Sequence, residues 1–375
     1  MRIILRVVLV LLGLCVLAVG GLWLRYGGGE RFEDRTTDPE LAASVLEVVA
    51  DLDLPPGNIA VSSSGRVFFT FHPSAAPAIQ VAEWVDGQAV PYPPELPAGL
   101  AYQSVLSLRI DRQGRLWVLD NASNGFGTPR LLAFDLETAE LVHRYDFSRE
   151  VAGRGSHLND FQVSPDGTRI YIADASILAT TPALVLYDVE ARTSRRVLED
   201  HESVTPEKYI PVVQGRRMLL LGVFAVRPGV DSIALDRKGE WLYFAPITSN
   251  HMYRVRRSDL DDEALSAAEL EGRVERFALK TMSDGIATDL DGNLYLSDLE
   301  GSAIVMLQAD GRLRTLLKDD RIRWPDGFSF GPDGWLYVTC SALHQVIGLS
   351  EEEIRATAPY QIFRFKPGPA GIPGH

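Results

Sequence analysis

Cysteine is almost absent from the sequence, which has only Cys15 and Cys340 among 375 residues. Cys15 lies in the hydrophobic N-terminal segment described below, so one cysteine remains for the rest of the chain and no intrachain disulfide can stabilise it. Stability must therefore come from packing and strand pairing. We interpret Cys340 as a small buried residue in a predicted strand, because no fixed histidine or basic partner is evident beside it.

Basic residues are also scarce relative to acidic ones. Lys and Arg total 37 against 50 Asp and Glu, which gives a net charge of −13. Binding to nucleic acid requires a clustered basic face, so this balance argues against a nucleic-acid partner. The sequence contains no His-Glu-x-x-His, no phosphate-binding loop and no Cys-x-x-Cys, which excludes the enzyme classes that those motifs define.

One long hydrophobic run stands at the N-terminus. Arg2 and Arg6 precede Val7–Leu24, a run of about 18 residues without charge, which is long enough to cross a membrane. Residues 1–27 are therefore expected to be a signal anchor or signal peptide, and the length of the run favours an uncleaved anchor. The basic end should stay in the cytoplasm, so we expect a periplasmic or secreted domain that touches the membrane only through residues 3–24.

Six later stretches share one pattern, an apolar strand followed by a glycine-containing turn and a second apolar strand. The stretch from 283 to 298 shows it most clearly. The six starts are Gly57, Leu106, Asn159, Asp231, Asp284 and Asp326. They lie about 49, 53, 72, 53 and 42 residues apart, which is typical of propeller blades with four strands each.

The repeats predict an all-β fold, a six-bladed β-propeller over residues 45–366 preceded by an N-terminal hydrophobic helix. Residues 28–44 are expected to be a linker and residues 367–375 a flexible tail, because both are rich in glycine, proline or charge. The strand predicted at 46–52 should complete the last blade and close the ring. The long third interval contains an insertion at 199–227, which should cover one face, and a helix is expected at 258–270, capped by Ser258.

Polar residues open four of the six repeats and should converge at one mouth of the central channel. They are Asn159, Asp231, Asp284 and Asp326, with Asp160 beside the first. Neighbouring carboxylates raise one another's pKa values unless a cation or proton lies among them, and oxygen ligands suit Ca²⁺ or Mg²⁺. We therefore predict a divalent cation, Ca²⁺ first, on Asn159, Asp231 and Asp284. The alternative is that each residue caps a strand and binds the backbone of the next blade.

His157 is the best candidate for a general base, since it precedes Asn159 by two residues and shares its face of a strand. Asp284 and Asp326 are the candidate catalytic carboxyls. A histidine that is merely hydrogen-bonded in a loop remains the alternative for His157.

The chain resembles the yellow and major royal jelly protein family in several segments. They are Leu158-Asn159-Asp160, Asp231-Ser232-Ile233-Ala234-Leu235, Ser283-Asp284-Gly285 and Trp324-Pro325-Asp326. The resemblance implies a six-bladed, mostly secreted propeller. Some members are linked to dopachrome conversion, some bind biogenic amines in the channel, and others are nutritive. We expect a small aromatic or amine ligand here, bound by Asn58, Asn159, Asp160, Asp231 and Trp324.

A more distant resemblance is to the gluconolactonase and senescence-marker propellers, which hold a divalent cation at the channel mouth and hydrolyse sugar lactones. Asn159 and Asp284 match two of their ligand positions. Their first-blade glutamate is not matched, because Gly57 and Asn58 stand there. A metal-dependent lactonase is thus the alternative function, in which Asp284 or Asp326 would orient water. A non-catalytic surface scaffold is the third reading, and a monomer is expected in each case.

Overall fold

The computed structural model describes residues 2–374; Met1 and His375, which belong to the predicted leader and tail, lie outside the described residues. The chain begins with helix α1 (Arg2–Leu22), which continues into a π-helical turn at Trp23–Gly27. Residues Ile4–Leu22 have a mean hydropathy of 2.6 and no burial in the protein, so α1 is long and apolar enough to cross a membrane.

The strands begin at Glu47, and they follow the predicted repeats. A first strand, β1 (Glu47–Leu52), precedes the blades. The first blade contains β2 (Pro56–Val61), β3 (Val67–Phe71), β4 (Val81–Val85) and β5 (Gln88–Pro91). The second contains β6 (Val105–Ile110), β7 (Arg115–Asp120), β8 (Arg130–Asp135) and β9 (Leu141–Asp146). The third contains β10 (Leu158–Val163), β11 (Arg169–Asp174), β12 (Ala183–Asp188) and β13 (Thr193–Val197).

The second half of the chain repeats the arrangement after an insertion. The insertion carries two small hairpins, β14 (Val212–Val213) with β15 (Arg216–Arg217) and β16 (Leu219–Leu220) with β17 (Phe224–Ala225). The fourth blade contains β18 (Val230–Leu235), β19 (Trp241–Pro246), β20 (His251–Arg256) and β21 (Glu275–Leu279). The fifth contains β22 (Ile286–Thr288), β23 (Leu294–Asp298), β24 (Ala303–Leu307) and β25 (Leu313–Lys318). The sixth contains β26 (Pro325–Phe330), β27 (Leu336–Cys340) and β28 (Tyr360–Phe365).

Short helices occupy the loops between these strands. The α-helices are α2 (Ala122–Gly125), α3 (Arg257–Asp261), α4 (Ala267–Glu271) and α5 (Glu351–Ala356). The 3-10 turns are Ala43–Val45, Pro73–Ala75, Pro332–Gly334 and Leu343–Gln345.

The first strand of the chain closes the ring, as the sequence predicts. β1 pairs antiparallel with β28, so the sixth sheet has the order β1, β28, β27, β26. The N-terminal end of the domain therefore completes the C-terminal blade, and β2 packs beside β26. Closure of this kind removes two unpaired strand edges. The six-bladed propeller is confirmed.

The helix expected at 258–270 is in fact two short helices, α3 and α4. The backbone becomes extended at Asp262, with φ −77° and ψ 101°. A new helix then starts at Ser266, whose side chain accepts the Glu269 backbone N–H while Glu269 binds back to Ser266. This capping box, and not Ser258, provides the helix start.

The insertion and the N-terminal stem together cover one end of the channel. Glu30 N–H donates to Lys208 O (2.9 Å), Val212 N–H to Glu300 Oε1 (2.6 Å) and Arg216 to Ile347 O (2.9 Å). The insertion thus covers a face, as expected, over blades four to six. Phe32 is buried in the same apolar layer, so the segment 28–44 is packed on the ring and is not a free linker.

The C-terminal tail, defined as residues 367–374, crosses the opposite end of the channel. Leu290 N–H donates to Ala370 O (2.9 Å), Gly374 N–H to Phe330 O (3.0 Å) and Ile110 N–H to Gly374 O (3.4 Å). The expectation of a flexible tail is therefore corrected. The tail binds because its extended backbone pairs with groups at the far ends of inner strands, and a Cβ at Gly371 would lie only 2.0 Å from the Phe330 ring.

Candidate functional site

Polar residues open the inner strands at the end of the channel that the insertion and the N-terminal stem cover. We call this the covered end. In five blades the pairing of the inner strand shifts register just after its first pair, which marks a β-bulge. The residues passed over in these bulges include Asn58, Asn159, Asp160, Asp231 and Asp326. Since a bulge leaves the strand ladder and re-aims its side chain, these polar groups are free to turn toward the channel.

Asp160 joins the first three blades. Its Oδ1 accepts hydrogen bonds from Asn58 Nδ2 (2.8 Å) and Ser107 Oγ (3.1 Å), and its Oδ2 lies 3.8 Å from the Arg109 guanidinium. Arg109 also donates to Asn58 Oδ1. Burial raises the pKa of Asp160, and the charge of Arg109 opposes that rise. Asn58 and Asp160, both predicted to bind a ligand, are thus already bound within the chain.

Asp284 is held by Trp324. The indole Nε1–H donates to Asp284 Oδ2 at 2.7 Å, and the Asp284 backbone N–H donates to Ser297 Oγ at 2.7 Å. Trp324 is almost fully buried and has φ 52°, a left-handed conformation that is uncommon for a bulky residue and marks local strain. Trp324 therefore positions Asp284. Burial, together with the charge of Asp231, raises the pKa of Asp284 well above its ordinary value.

Asp231 is the carboxyl with the fewest partners in the ring. Its side chain is 5 % exposed, and its Oδ1 has no hydrogen-bond partner among residues 2–374. Burial and the charges of Asp160 and Asp326 raise its pKa well above the ordinary value. The pKa of Asp326 is raised in the same way, by burial and by Asp284. Asn159 keeps partial exposure, so solvent reaches this level of the channel.

Acidic groups outnumber basic ones in the channel. Four carboxyls belong to the cluster, and two cations face them, namely Arg109 and Lys280. Lys280 is buried, donates to Ile247 O and Thr281 O (both 3.0 Å), and has its pKa lowered by burial to about 7. At neutral pH the carboxyls therefore exceed the available positive charge, so the cluster must hold protons or a cationic ligand.

The metal predicted on Asn159, Asp231 and Asp284 would have one amide and two carboxyl groups of the chain as ligands. Within the described part of the chain, no three His, Cys, Asp or Glu side chains are grouped as they would be around a metal ion. Asp284 is bound by Trp324 and Asp160 by Asn58, and among residues 2–374 Asp231 Oδ1 is the one fully buried carboxyl oxygen without a hydrogen-bond partner. The divalent cation stays a prediction, and no chemical step is derived from it.

His157 lies in a separate group from Asp284 and Asp326. Its Nδ1 contacts Asn124 Oδ1, and its backbone N–H donates to Asp174 Oδ1 at 2.7 Å. Since the Asn124 oxygen is an acceptor, we assign the proton to Nδ1, which leaves Nε2 as a basic nitrogen. Burial lowers the pKa of His157 to about 4, so the ring is neutral at pH 7. The pKa of His72 is also lowered to about 4, mainly by burial and to a smaller extent by the nearby His157.

Sequence reasoning missed three polar groups of the channel, Arg109, Lys280 and Ser283. Arg109 Nε and Ser283 Oγ are buried and, like Asp231 Oδ1, have no partner in the described chain. Arg109 was detectable, because it is the one charged residue at its position in the six repeats. The other five repeats have uncharged residues there, namely Ala60, Gln162, Ala234, Ala287 and Ser329.

One catalytic pattern in the sequence also proves to be structural. Residues 327–331 read Gly-x-Ser-x-Gly, the pattern of a nucleophile elbow. In the structure Ser329 lies inside β26, is fully buried, and accepts the Val61 N–H at 3.0 Å. There is no strand-to-helix turn at this position, so the pattern does not provide a nucleophile.

Comparison with known proteins supports the architecture at the level of the fold. The chain is similar to a gluconolactonase from Xanthomonas campestris, with 14 % identity, a TM-score of 0.56 and coverage of 90 % of this chain and 96 % of the other. It is also similar to regucalcin, a calcium-binding protein from Agrobacterium tumefaciens, with 15 % identity, a TM-score of 0.55 and coverage of 87 % and 96 %. Identities this low carry no information on activity.

Sequence comparison gives the family. Residues 103–318 match the model of the family described as major royal jelly protein. Major royal jelly protein 7 of Apis mellifera is 24 % identical over 212 residues, which are 54 % of this chain and 46 % of that protein. Major royal jelly protein 3 is 26 % identical over 212 residues, 54 % of this chain and 37 % of that protein. The matched region thus spans less than half the length of these relatives. The chain belongs to the major royal jelly protein family.

Proposed function

We propose that this propeller binds a small organic amine, of the aromatic type, at the covered end of its channel. The observation that carries the proposal is Asp231, a buried carboxyl with a free Oδ1 in a cluster where carboxyls exceed cations. An ammonium group supplies the missing charge and donates hydrogen bonds to more than one carboxyl. Burial strengthens such pairing, because the low local dielectric increases the attraction.

The free buried groups around Asp231 fit an amine that also carries polar substituents. Arg109 Nε can donate, and Ser283 Oγ can donate or accept. A catechol or indole amine has both an ammonium group and a ring with hydroxyl or N–H groups. A dopachrome-type tautomerisation requires a base that removes a proton and an acid that returns one elsewhere. His157, a neutral base, and the buried carboxyls, whose pKa values are raised, would have to fill these roles from separate groups of the propeller.

Calorimetric titration of the full chain in detergent with dopamine and tryptamine tests the proposal. We expect heat of binding for the amines and none for neutral ring analogues. Asp231→Asn should weaken amine binding by at least about tenfold, the usual effect of removing a charged hydrogen-bond partner. Asp291→Asn is the matched control, since Asp291 is an exposed turn residue. Equal affinity for both variants, or no heat with any amine, would overturn the proposal.

The second candidate is a divalent-metal-dependent lactonase, favoured by the same excess of carboxyls. A bound cation would polarise a lactone carbonyl, and Asp284 or Asp326 would orient water. Thermal unfolding with Ca²⁺ and with a chelator separates the candidates. A metal at a hundred times its Kd adds about 2.7 kcal/mol to the free energy of unfolding. A shift in Tm that Asp284→Ala abolishes would favour the lactonase, whereas a protein that binds neither ligand would be a surface scaffold.

For location, we propose a monomeric periplasmic or secreted protein held at the inner membrane by residues 3–24. The support is α1, whose uncharged run from Val7 onward follows Arg2 and Arg6 and which is long and apolar enough to cross a membrane. Protease treatment of spheroplasts should digest the propeller from outside. Protection until the membrane is dissolved would contradict this location.

A further inference from the structure

The second hairpin of the insertion, residues 219–225, presents an unusual tip. We call it the Leu221 hairpin. Val223 N–H donates to Leu220 O at 3.0 Å, and the two residues between them, Leu221 and Gly222, have φ values of 52° and 68°. Two-residue turns with positive φ at both positions normally use Asn or Gly. The positive φ of Leu221 is therefore an unfavourable backbone conformation for a leucine.

The side chain of the same leucine is also in an unfavourable environment, because it is exposed to water. Leu221 is 90 % exposed, and its neighbour Leu220 is 39 % exposed. At this exposure the Leu221 side chain gains little from packing against the rest of the protein. A leucine with both a strained backbone and an exposed side chain is explained if the tip contacts an apolar phase outside the protein.

The hairpin lies beside the C-terminal end of α1, the helix proposed to span the membrane. The rings of Tyr26 and Phe224 are 5.9 Å apart, and Arg227 donates to Gly28 O (2.9 Å) and Tyr26 O (2.8 Å). An apolar crevice lies between Val223 and the helix residues up to Trp23. Trp and Tyr at the end of a spanning helix mark the headgroup level of a bilayer. With α1 across a bilayer as proposed, the tip would lie near the membrane surface.

The charge of this part of the insertion fits an anionic surface. Residues 208–227 contain four basic residues and no acidic one, in a chain with a net charge of −13. Lys208 and Arg217 are exposed, whereas Arg216 and Arg227 bind backbone carbonyls of the protein. A basic segment next to an exposed apolar tip is typical of a peptide that lies in a membrane interface.

We propose that the Leu221 hairpin inserts its tip into the anionic bilayer that α1 spans, as a second membrane contact. The proposal does not depend on the identity of the channel ligand. The neighbouring hairpin of the same insertion, β14 with β15, is linked to the carboxyl cluster, since Gln214 in its turn contacts His344 Nε2 (3.1 Å), His344 stacks on Trp324, and Trp324 binds Asp284. Two membrane contacts therefore orient the covered end of the channel toward the bilayer.

Depth-dependent fluorescence quenching in vesicles tests the contact. The full chain with Cys15→Ser and Leu221→Cys is labelled with an environment-sensitive dye, since the remaining Cys340 is buried. It is reconstituted in phosphatidylcholine vesicles with and without phosphatidylglycerol, and spin-labelled lipids serve as quenchers. The control label is at Val142→Cys, which is 51 % exposed on β9 of the second blade. We expect strong lipid quenching and a blue shift at 221, increased by phosphatidylglycerol, and neither at 142.

Two outcomes with the label at 221 would overturn the proposal. One is a label at 221 that stays as exposed to water as the label at 142. The other is a blue shift at 221 without quenching by lipid, which would mean that a second copy or another protein covers the tip. A further variant separates membrane contact from folding. Leu221→Asn suits the turn, so it should raise Tm in detergent and yet reduce quenching of a label at Leu220→Cys; unchanged quenching would contradict insertion of the leucine.

Discussion

Replacing Asp231 by asparagine should make the ligand-free protein more stable at neutral pH. Asparagine has nearly the same size as aspartate and carries no charge, so it fits a position where the carboxyl is buried and Oδ1 has no partner in the described chain. The gain should depend on pH, because what the variant removes is the cost of burying an ionisable group. It should vanish in acid, where the native carboxyl is neutral too.

The sign follows from proton binding in the two states. In the unfolded chain Asp231 ionises near pH 4, whereas in the folded chain burial and the charges of Asp160 and Asp326 raise its pKa well above that. Between the two values the folded state holds a proton that the unfolded state has lost, so the free energy of unfolding falls as pH rises and levels off above the folded-state pKa. One such proton corresponds to about 1.4 kcal/mol per pH unit. With about 2.1 cal/mol/K of unfolding entropy per residue, this equals roughly 2 °C in Tm per pH unit.

Differential scanning calorimetry between pH 4 and pH 8 would measure the effect. At pH 4 the three proteins should have similar Tm values. They are the wild-type chain, Asp231→Asn and the surface control Asp291→Asn. As pH rises, the Tm of Asp231→Asn should fall less steeply than that of the wild type, and the control should follow the wild type. Parallel curves for Asp231→Asn and wild type would show that Asp231 is already ionised and compensated, and would remove the basis of the amine site.

Three other predictions concern the contacts around the channel. Trp324→Phe removes the N–H donor of Asp284 and should lower the free energy of unfolding by about 1–3 kcal/mol in urea titrations; an unchanged midpoint would show that the bond is not formed. Arg109→Gln should destabilise by about 3–5 kcal/mol, because it leaves Asp160 buried without its cation, and the added change Asp160→Asn should restore part of the loss; strictly additive effects would argue against the pair. Ending the chain after β28 removes the C-terminal tail and should lower Tm by several degrees, since backbone hydrogen bonds contribute about 1 kcal/mol each; an unaltered Tm would mean that the tail is not bound in solution.

The fold could be predicted because the signal is local and repeated. Each blade carries the same alternation and the same turn, so an error in one repeat is corrected by the others. Ring closure by β1 could be predicted as well. A strand that stands alone before the first blade needs a partner, and the last blade has an open outer edge with which it can pair. The bound tail could not, because its hydrogen bonds join residues about 40 to 264 positions apart, and a stretch of proline and glycine has no hydrophobic period that would indicate them.

The site could be predicted only in part, because its details depend on single-residue register. The repeat phase places Asp231, Asp284 and Asp326 at one end of the channel. Whether Asn159 or Asp160 enters the polar network depends on the bulge in β10, which shifts the pairing between Leu158 and Phe161. Bulges have weak sequence signals, and one residue of slip exchanges the two faces of a strand.

Covering the channel and gathering an excess of carboxyls in it have one joint consequence, namely that ionisable groups are buried. With the insertion and stem at one end and the tail at the other, the ring buries most of the cluster, and this burial is what raises the pKa values of Asp231 and Asp284. A cationic ligand must therefore compete with protons for the same carboxyls. As pH rises, the ligand-free protein loses stability while the affinity for an amine increases, because fewer protons have to be released on binding. Burial thus creates both the instability of the empty site and the energy with which it binds a cation.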